Sequence, residues 1–167
     1  QRLTCEQNLL AILETLKLSR ADRKRRAAEL LDQFGLSHKA NDLARTCSGG
    51  ERRKLEIARA LVTNPKLILL DEPFSGVDPI AVEDLQEEIR QLTQRGISIL
   101  ITDHNVQQTL RVCHRAYILT NGRVLAEGTP QQLINSEQVR SAYLGSMFRG
   151  DEFDEPADAH TEEHADA

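Results

Sequence analysis

The sequence predicts an α/β fold with a mostly parallel sheet flanked by helices, and three observations carry that prediction. Leu67 to Leu70 form a short apolar run that stops abruptly at two carboxylates, Asp71 and Glu72. Ile97 to Ile101 form a second such run, followed by Thr102-Asp103-His104. Between them Val82, Leu85, Ile89 and Leu92 recur at helical spacing. Continuous apolar runs bounded by turn residues suit strands buried on both faces of a parallel sheet. A strand, a helix and a second strand make a βαβ unit, whose crossover places both strand ends at the same sheet edge. In open α/β sheets the working crevice lies at that edge. Asp71, Glu72 and His104 are therefore expected to share it. Alone, the two acids read equally well as the exposed end of a buried strand.

The remaining elements follow in chain order. Residues 5–17 and 21–34 predict two helices, on the spacing of Leu9, Ile12, Leu13 and Leu16 and of Ala27, Leu30, Leu31 and Phe34, with Gly35 as the stop for the second. Arg23 to Arg26 begin that second helix and read as a solvated face, or as a docking surface for a partner. Cys47-Ser48-Gly49-Gly50-Glu51 then leads into a helix whose stripe is Leu55, Ala58, Leu61 and Val62. Ser48 and Glu51 have the spacing of a capping box, which accounts for both residues. It does not account for two glycines in the first turn, where each costs helix stability. Bare backbone at a helix N-terminus suits an anion, and a phosphate is the natural candidate.

Asp78 is placed to cap the next helix, with Pro79 at its first position and Gly96 at its end. Val106, Leu110 and Cys113 mark a short helix. Asn121-Gly122 predicts a type I′ turn between strands at Ala116–Leu119 and Val124–Ala126. Gly128-Thr129-Pro130 opens a helical finish to about Leu144. The organisation expected is a helical subdomain over 1–62, an α/β part over 63–145, and an acidic, disordered tail over 146–167. His160 and His164 in that tail sit four apart, and without helical order or further ligands they are not expected to bind a metal.

Composition sets outer limits. The 167 residues, 40% hydrophobic and 28% charged, suffice for one core, and with 4% aromatics and no Trp it must be aliphatic. The net charge of -5 is concentrated at the end: residues 151–167 hold eight acids and no Lys or Arg, which leaves 18 acids against 21 bases elsewhere. That balance does not suggest nucleic-acid binding. Cys5, Cys47 and Cys113 form no CxxC pair or disulfide framework and suit a reducing compartment. No apolar stretch approaches the roughly 18 residues of a membrane span.

Taken in order and spacing, CSGGE, LILLDEP, SGVD and TDH resemble the signature motif, Walker B strand, D-loop and switch histidine of ABC-transporter ATPases. The resemblance covers about residues 1–145 and implies a P-loop NTPase fold of the ABC type. It implies that Asp71 holds Mg²⁺ through water, that Glu72 is the general base toward the attacking water, and that His104 contacts the γ-phosphate of ATP. It further implies that Ser48, Gly49, Gly50 and Glu51 meet ATP held mainly by a second, identical ATPase subunit. Ser75, Gly76 and Asp78 would cross that dimer interface. The partners implied are transmembrane permease subunits, and the location is the cytoplasmic face of an inner membrane. Neither nucleic acid nor direct membrane insertion is expected.

Within the family, DEPFSGVDPI, ITDHNVQQTL and the GTPQQL–YLG ending are similar to the branch that serves lipopolysaccharide export. The branch feeding branched-chain amino-acid importers is the alternative. Cys47 stands where the family usually has Leu, and Glu51 where Gln is common. No GxxxxGK[ST] occurs in the 167 residues, and the chain opens on Gln1. The expectation is therefore the C-terminal part of such a domain, inactive alone, with the phosphate loop and glutamine loop preceding it. A non-catalytic interaction module remains the rival from another class. Chromosome-maintenance ATPases share a signature motif but call for flanking heptads, which this sequence lacks.

Overall fold

The computed structural model describes residues 2–141. It divides between Val112 and Cys113 into two units, each described by itself. The expected boundary at 62/63 lies inside the first unit. The expected acidic tail, and the end of the helical finish, lie outside the described residues.

In the first unit, α1 (Cys5–Leu13), α2 (Arg20–Gln33) and α3 (Gly49–Leu61) pack on one another. Each begins at a residue whose side chain meets an orphan N–H of the first turn: Thr4, Ser19 and Ser48. Leu9 and Leu13 of α1, Leu30 and Leu31 of α2, and Leu55 and Ala58 of α3 are buried in one core. α1 ends at Leu13, four residues short of the expected limit. The chain turns at Thr15, whose hydroxyl donates to the Ile12 carbonyl, and Leu16 still packs against the core from the turn. Gly35, at φ 65°, follows α2 as expected, because that left-handed conformation favours a residue without Cβ. Single 3₁₀ turns at Ser37–Lys39 and Ala44–Thr46 carry the chain to α3.

Strand β1 (Leu67–Asp71) pairs in parallel with β2 (Ser98–Thr102), in a register that sets Asp71 opposite Thr102. α4 (Pro79–Gln94) connects them, capped by Asp78 and started by Pro79. Val82, Leu85, Ile89 and Leu92 form its buried face, as the sequence predicts. The prediction that these strands are buried on both faces is not met. Ile68 is buried in the helical core, with Leu70, Ile99 and Ile101 packed against it. Leu67, Leu69 and Leu100 on the other face are each more than half exposed. Among the described residues helices cover one face only. α5 (Val106–Leu110) completes the unit.

The second unit is a hairpin followed by helical turns. β3 (Ala116–Thr120) and β4 (Arg123–Gly128) are antiparallel, with a register shift between Ile118 and Leu119. Asn121 and Gly122 both have positive φ, 49° and 73°, as a type I′ turn requires. The helical finish is interrupted: α6 (Pro130–Ile134) and α7 (Glu137–Val139) pack on β4, burying Leu133, Ile134 and Val139.

Candidate functional site

Two groups of side chains form at the starts and ends of these elements. The first lies where β1 and β2 finish. Asp71 Oδ1 accepts the Thr102 hydroxyl at 2.5 Å, and the Glu72 amide donates to the Thr102 carbonyl at 2.7 Å. The parallel ladder thus fixes both acids relative to the end of β2. Glu72 adopts φ 46°, a left-handed conformation that costs a side-chain-bearing residue on the order of 1–3 kcal/mol. Its carbonyl is held by the Ser75 amide at 3.2 Å and by Arg53 Nη2 of α3 at 3.2 Å. The consequence is a carboxylate turned out of the strand line, half exposed, with Oε1 3.5 Å from His104 Nδ1. The predicted convergence of Asp71, Glu72 and His104 is present.

The second group forms at the N-terminus of α3. Ser48 Oγ accepts the Glu51 amide at 3.2 Å, while Glu51 Oε2 accepts the Ser48 amide at 2.8 Å, completing the capping box. That bond, before all other causes, holds the Glu51 carboxyl below its ordinary range. The two glycines have a reason the sequence does not show. A Cβ on Gly49 would stand 2.9 Å from the Gly76 carbonyl oxygen, and one on Gly50 would stand 2.6 Å from Ala81 Cβ. Bare backbone here is needed for α3 to approach the 75–78 turn and α4 of its own chain. The amides of Gly49 and Gly50, at the first two helical positions, still have no partner within α3. Gly76 has φ 68°, and Asp78 Oδ1 accepts the Ala81 amide at 3.0 Å as the cap of α4.

Behind Ser48, Cys47 is buried with its Sγ 3.5 Å from that of Cys5 at the start of α1. Burial pushes the Cys5 thiol up to about 12; both cysteines are buried, where a free Cys packs as a small apolar side chain. Sequence reasoning passed over Arg53, which ties the signature helix to the Glu72 carbonyl, and Asp103, whose side chain is fully shielded. Arg53 carries no spacing signal. Asp103 does: an Asp two residues before Asn105 is the pattern of an Asx turn.

Among the described residues no group of three or more His, Cys, Asp or Glu could hold a metal by itself. The Asp71 carboxylate at the end of β1 is an oxygen ligand of the kind that fits Mg²⁺ as that ion is held with nucleotides: one or two protein carboxylates, several waters and the phosphates.

Comparisons with known proteins bear on the family and the fold. The profile of the family described as ABC transporter matches residues 1–75. That described as branched-chain amino acid ATP-binding cassette transporter matches residues 123–149. An ATP-binding cassette of an ABC transporter in its ADP conformation superposes with a TM-score of 0.73 at 29% identity, over 86% of this chain and 63% of that one. In motif order, profile and fold, the chain is similar to the ATP-binding cassettes of ABC transporters. It is similar to the lipopolysaccharide export system ATP-binding protein LptB of Haemophilus influenzae, with 53% identity over 150 residues. The protein of that name from Escherichia coli K12 is 49% identical over 150 residues. In both cases the match covers 89% of this chain and 62% of the relative, so the chain spans less than two thirds of their length.

Proposed function

We propose that the protein is the ATP-binding and ATP-hydrolysing subunit of an ABC transporter that drives lipopolysaccharide export from the inner membrane. One observation carries the reading. Asp71, Glu72 and His104 meet at one sheet end in a chain 53% identical over 150 residues to a lipopolysaccharide-export ATP-binding protein.

The roles are those the resemblance implies, and the positions support them. The Glu72 carboxylate, turned outward and half exposed, accepts the proton of a water placed beside it. His104, 3.5 Å away, orients that water and the terminal phosphate. Asp71 would hold Mg²⁺, which when bound would neutralise phosphate charge. Phosphoryl transfer is catalysed mostly by such positioning and charge stabilisation. Ser48 and the amides of Gly49 and Gly50 receive the phosphate of ATP on a second subunit, where helix N-terminal donors favour an anion. Ser75, Gly76 and Asp78 lie along the same contact. A homodimer seated on transmembrane permease subunits, at the cytoplasmic face of the inner membrane, is the assembly this requires. Among the described residues no helix is long and apolar enough to cross a membrane. Without a GxxxxGK[ST], the 167 residues by themselves are expected not to hydrolyse ATP.

The profile match at 123–149 favours a second cargo, branched-chain amino acids. It spans far less of the chain than the lipopolysaccharide-export similarity. Depleting the protein in its own cell separates the two. Lipopolysaccharide building up in the inner membrane supports export; unchanged lipopolysaccharide with lost uptake of labelled isoleucine transfers the assignment to the importer. For the chemistry, Glu72→Gln in the full-length protein should bind ATP and slow hydrolysis by about two to four orders of magnitude, the worth of a general base. Turnover at the parental rate would remove Glu72 from that role.

A further inference from the structure

Asp103 is a shielded carboxylate that the reactions above leave unused. It stands between Thr102, the last residue of β2, and His104. Its side chain is 0% exposed while that of its neighbour His104 is 71% exposed. Oδ1 accepts the Asn105 amide at 2.8 Å, and Oδ2 accepts the Phe74 amide at 3.1 Å. Asn105 follows His104 in the turn leaving β2, and Phe74 lies two residues after Glu72 in the turn leaving β1. One carboxylate therefore clasps the two turns that carry Glu72 and His104. The same Oδ1 lies 3.7 Å from His104 Nδ1, so that imidazole nitrogen is near both Asp103 and Glu72, whose Oε1 is 3.5 Å away.

A local turn does not require this arrangement. An Asx turn needs the Asn105 bond alone, and Ser or Asn could make it. Shielding a carboxylate is costly unless donors compensate it. Here the second donor comes from a turn 29 residues away in sequence. We propose that Asp103 is a positioning residue for hydrolysis, fixing His104 against Glu72 by holding the two turns at one spacing. This rests on the ATPase reading of the same site. Two acceptor oxygens are the property that matters. An Asn at 103 has one acceptor and one donor, so either Phe74 or Asn105 would present its N–H to an NH₂ group.

The test uses the full-length protein with Asp103→Asn, and with Asp103→Ser, whose hydroxyl can keep the Asn105 bond but is too short to serve both turns. Misplacement of a reacting group by about 1 Å costs up to about 100-fold, so kcat is expected to fall about 10- to 100-fold with KM for Mg-ATP unchanged. Because Asp103 acts through His104, the double variant Asp103→Asn/His104→Ala should be no slower than His104→Ala alone. Amide exchange at Phe74 should quicken about tenfold or more, the loss of a hydrogen bond to a charged acceptor. Multiplying rather than saturating losses in the double variant would overturn the proposal. So would parental kcat, a raised KM at constant kcat, or failure of both variants to fold, which would make Asp103 a folding residue only. A parental protein without hydrolysis would end the ATPase reading instead, and the proposal with it. Phe74 amide exchange would then show whether the clasp itself had been read correctly.

Discussion

Glu51 shows how one carboxylate caps the start of α3. Its bond from the Ser48 amide holds it below the ordinary value of 4.5. A depressed folded-state pKa contributes stability that is present above the unfolded value and lost as pH falls through the folded one. Glu51→Gln keeps the reach of a capping-box residue but removes the charge. The variant should therefore be less stable than the parent at pH 7, and the gap should close as pH drops from about 4.5 through the lowered folded value. Urea midpoints at pH 7 and pH 3 measure it; a gap of equal size at both would mean that the bond acts as a neutral cap. At this scale the sequence was legible wherever a function rests on local spacing. Ser48 with Glu51, Asp78 with Pro79 and Asn121 with Gly122 all adopt the expected conformations. It was silent where the partner is distant: Cys5 with Cys47, Arg53 with Glu72, Asp103 with Phe74. The left-handed Glu72 also has no residue-type signal, since glycine, the residue that takes this conformation most readily, does not stand there.

Between elements, the contact of α3 with α4 sets the geometry of the signature turn. Ala in place of Gly50 favours the helix by about 1 kcal/mol through propensity. Its Cβ, however, would stand 2.6 Å from Ala81 Cβ, and overpacking of this kind costs about 1–3 kcal/mol. Gly50→Ala is therefore expected to lower the urea midpoint despite the better propensity. Ala81→Gly should soften the loss, so that the double variant is more stable than the sum of the two single effects. Strict additivity would show that α3 and α4 shift apart and that the glycine is not needed for their approach. The glycine pair could be noticed in the sequence, but its packing role could not, because Ala81 is 31 residues away and ordinary in every local respect. The apolar runs raised a related difficulty. Leu67 to Leu70 read alike whether one or both faces are covered, and covering the second face depends on other elements than β1 itself.

For the whole molecule, the proposed dimer makes Ser48 and Glu72 separable by opposite outcomes. Glu72 lies at the end of β1 and contacts its own subunit's His104. Gln at that position keeps size and hydrogen bonding but cannot accept the proton as a carboxylate does. The full-length Glu72→Gln protein should bind ATP, fail to turn it over, and accumulate as an ATP-bound dimer. Ser48 caps α3 beside two helix-start amides that have no partner within the helix. Arg there removes the cap and sets a bulky side chain where the proposed dimer brings the phosphate of a facing subunit. Losing a Ser N-cap costs about 1 kcal/mol, too little on its own to unfold a protein of ordinary stability. Ser48→Arg should accordingly remain folded and bind ATP as a monomer, yet form no dimer on adding ATP and Mg²⁺. Light scattering with both additions reads the two variants side by side. A Ser48→Arg protein that dimerises as the parent does would reduce the start of α3 to a helix cap, and a monomeric, fully active Glu72→Gln protein would move the general base elsewhere.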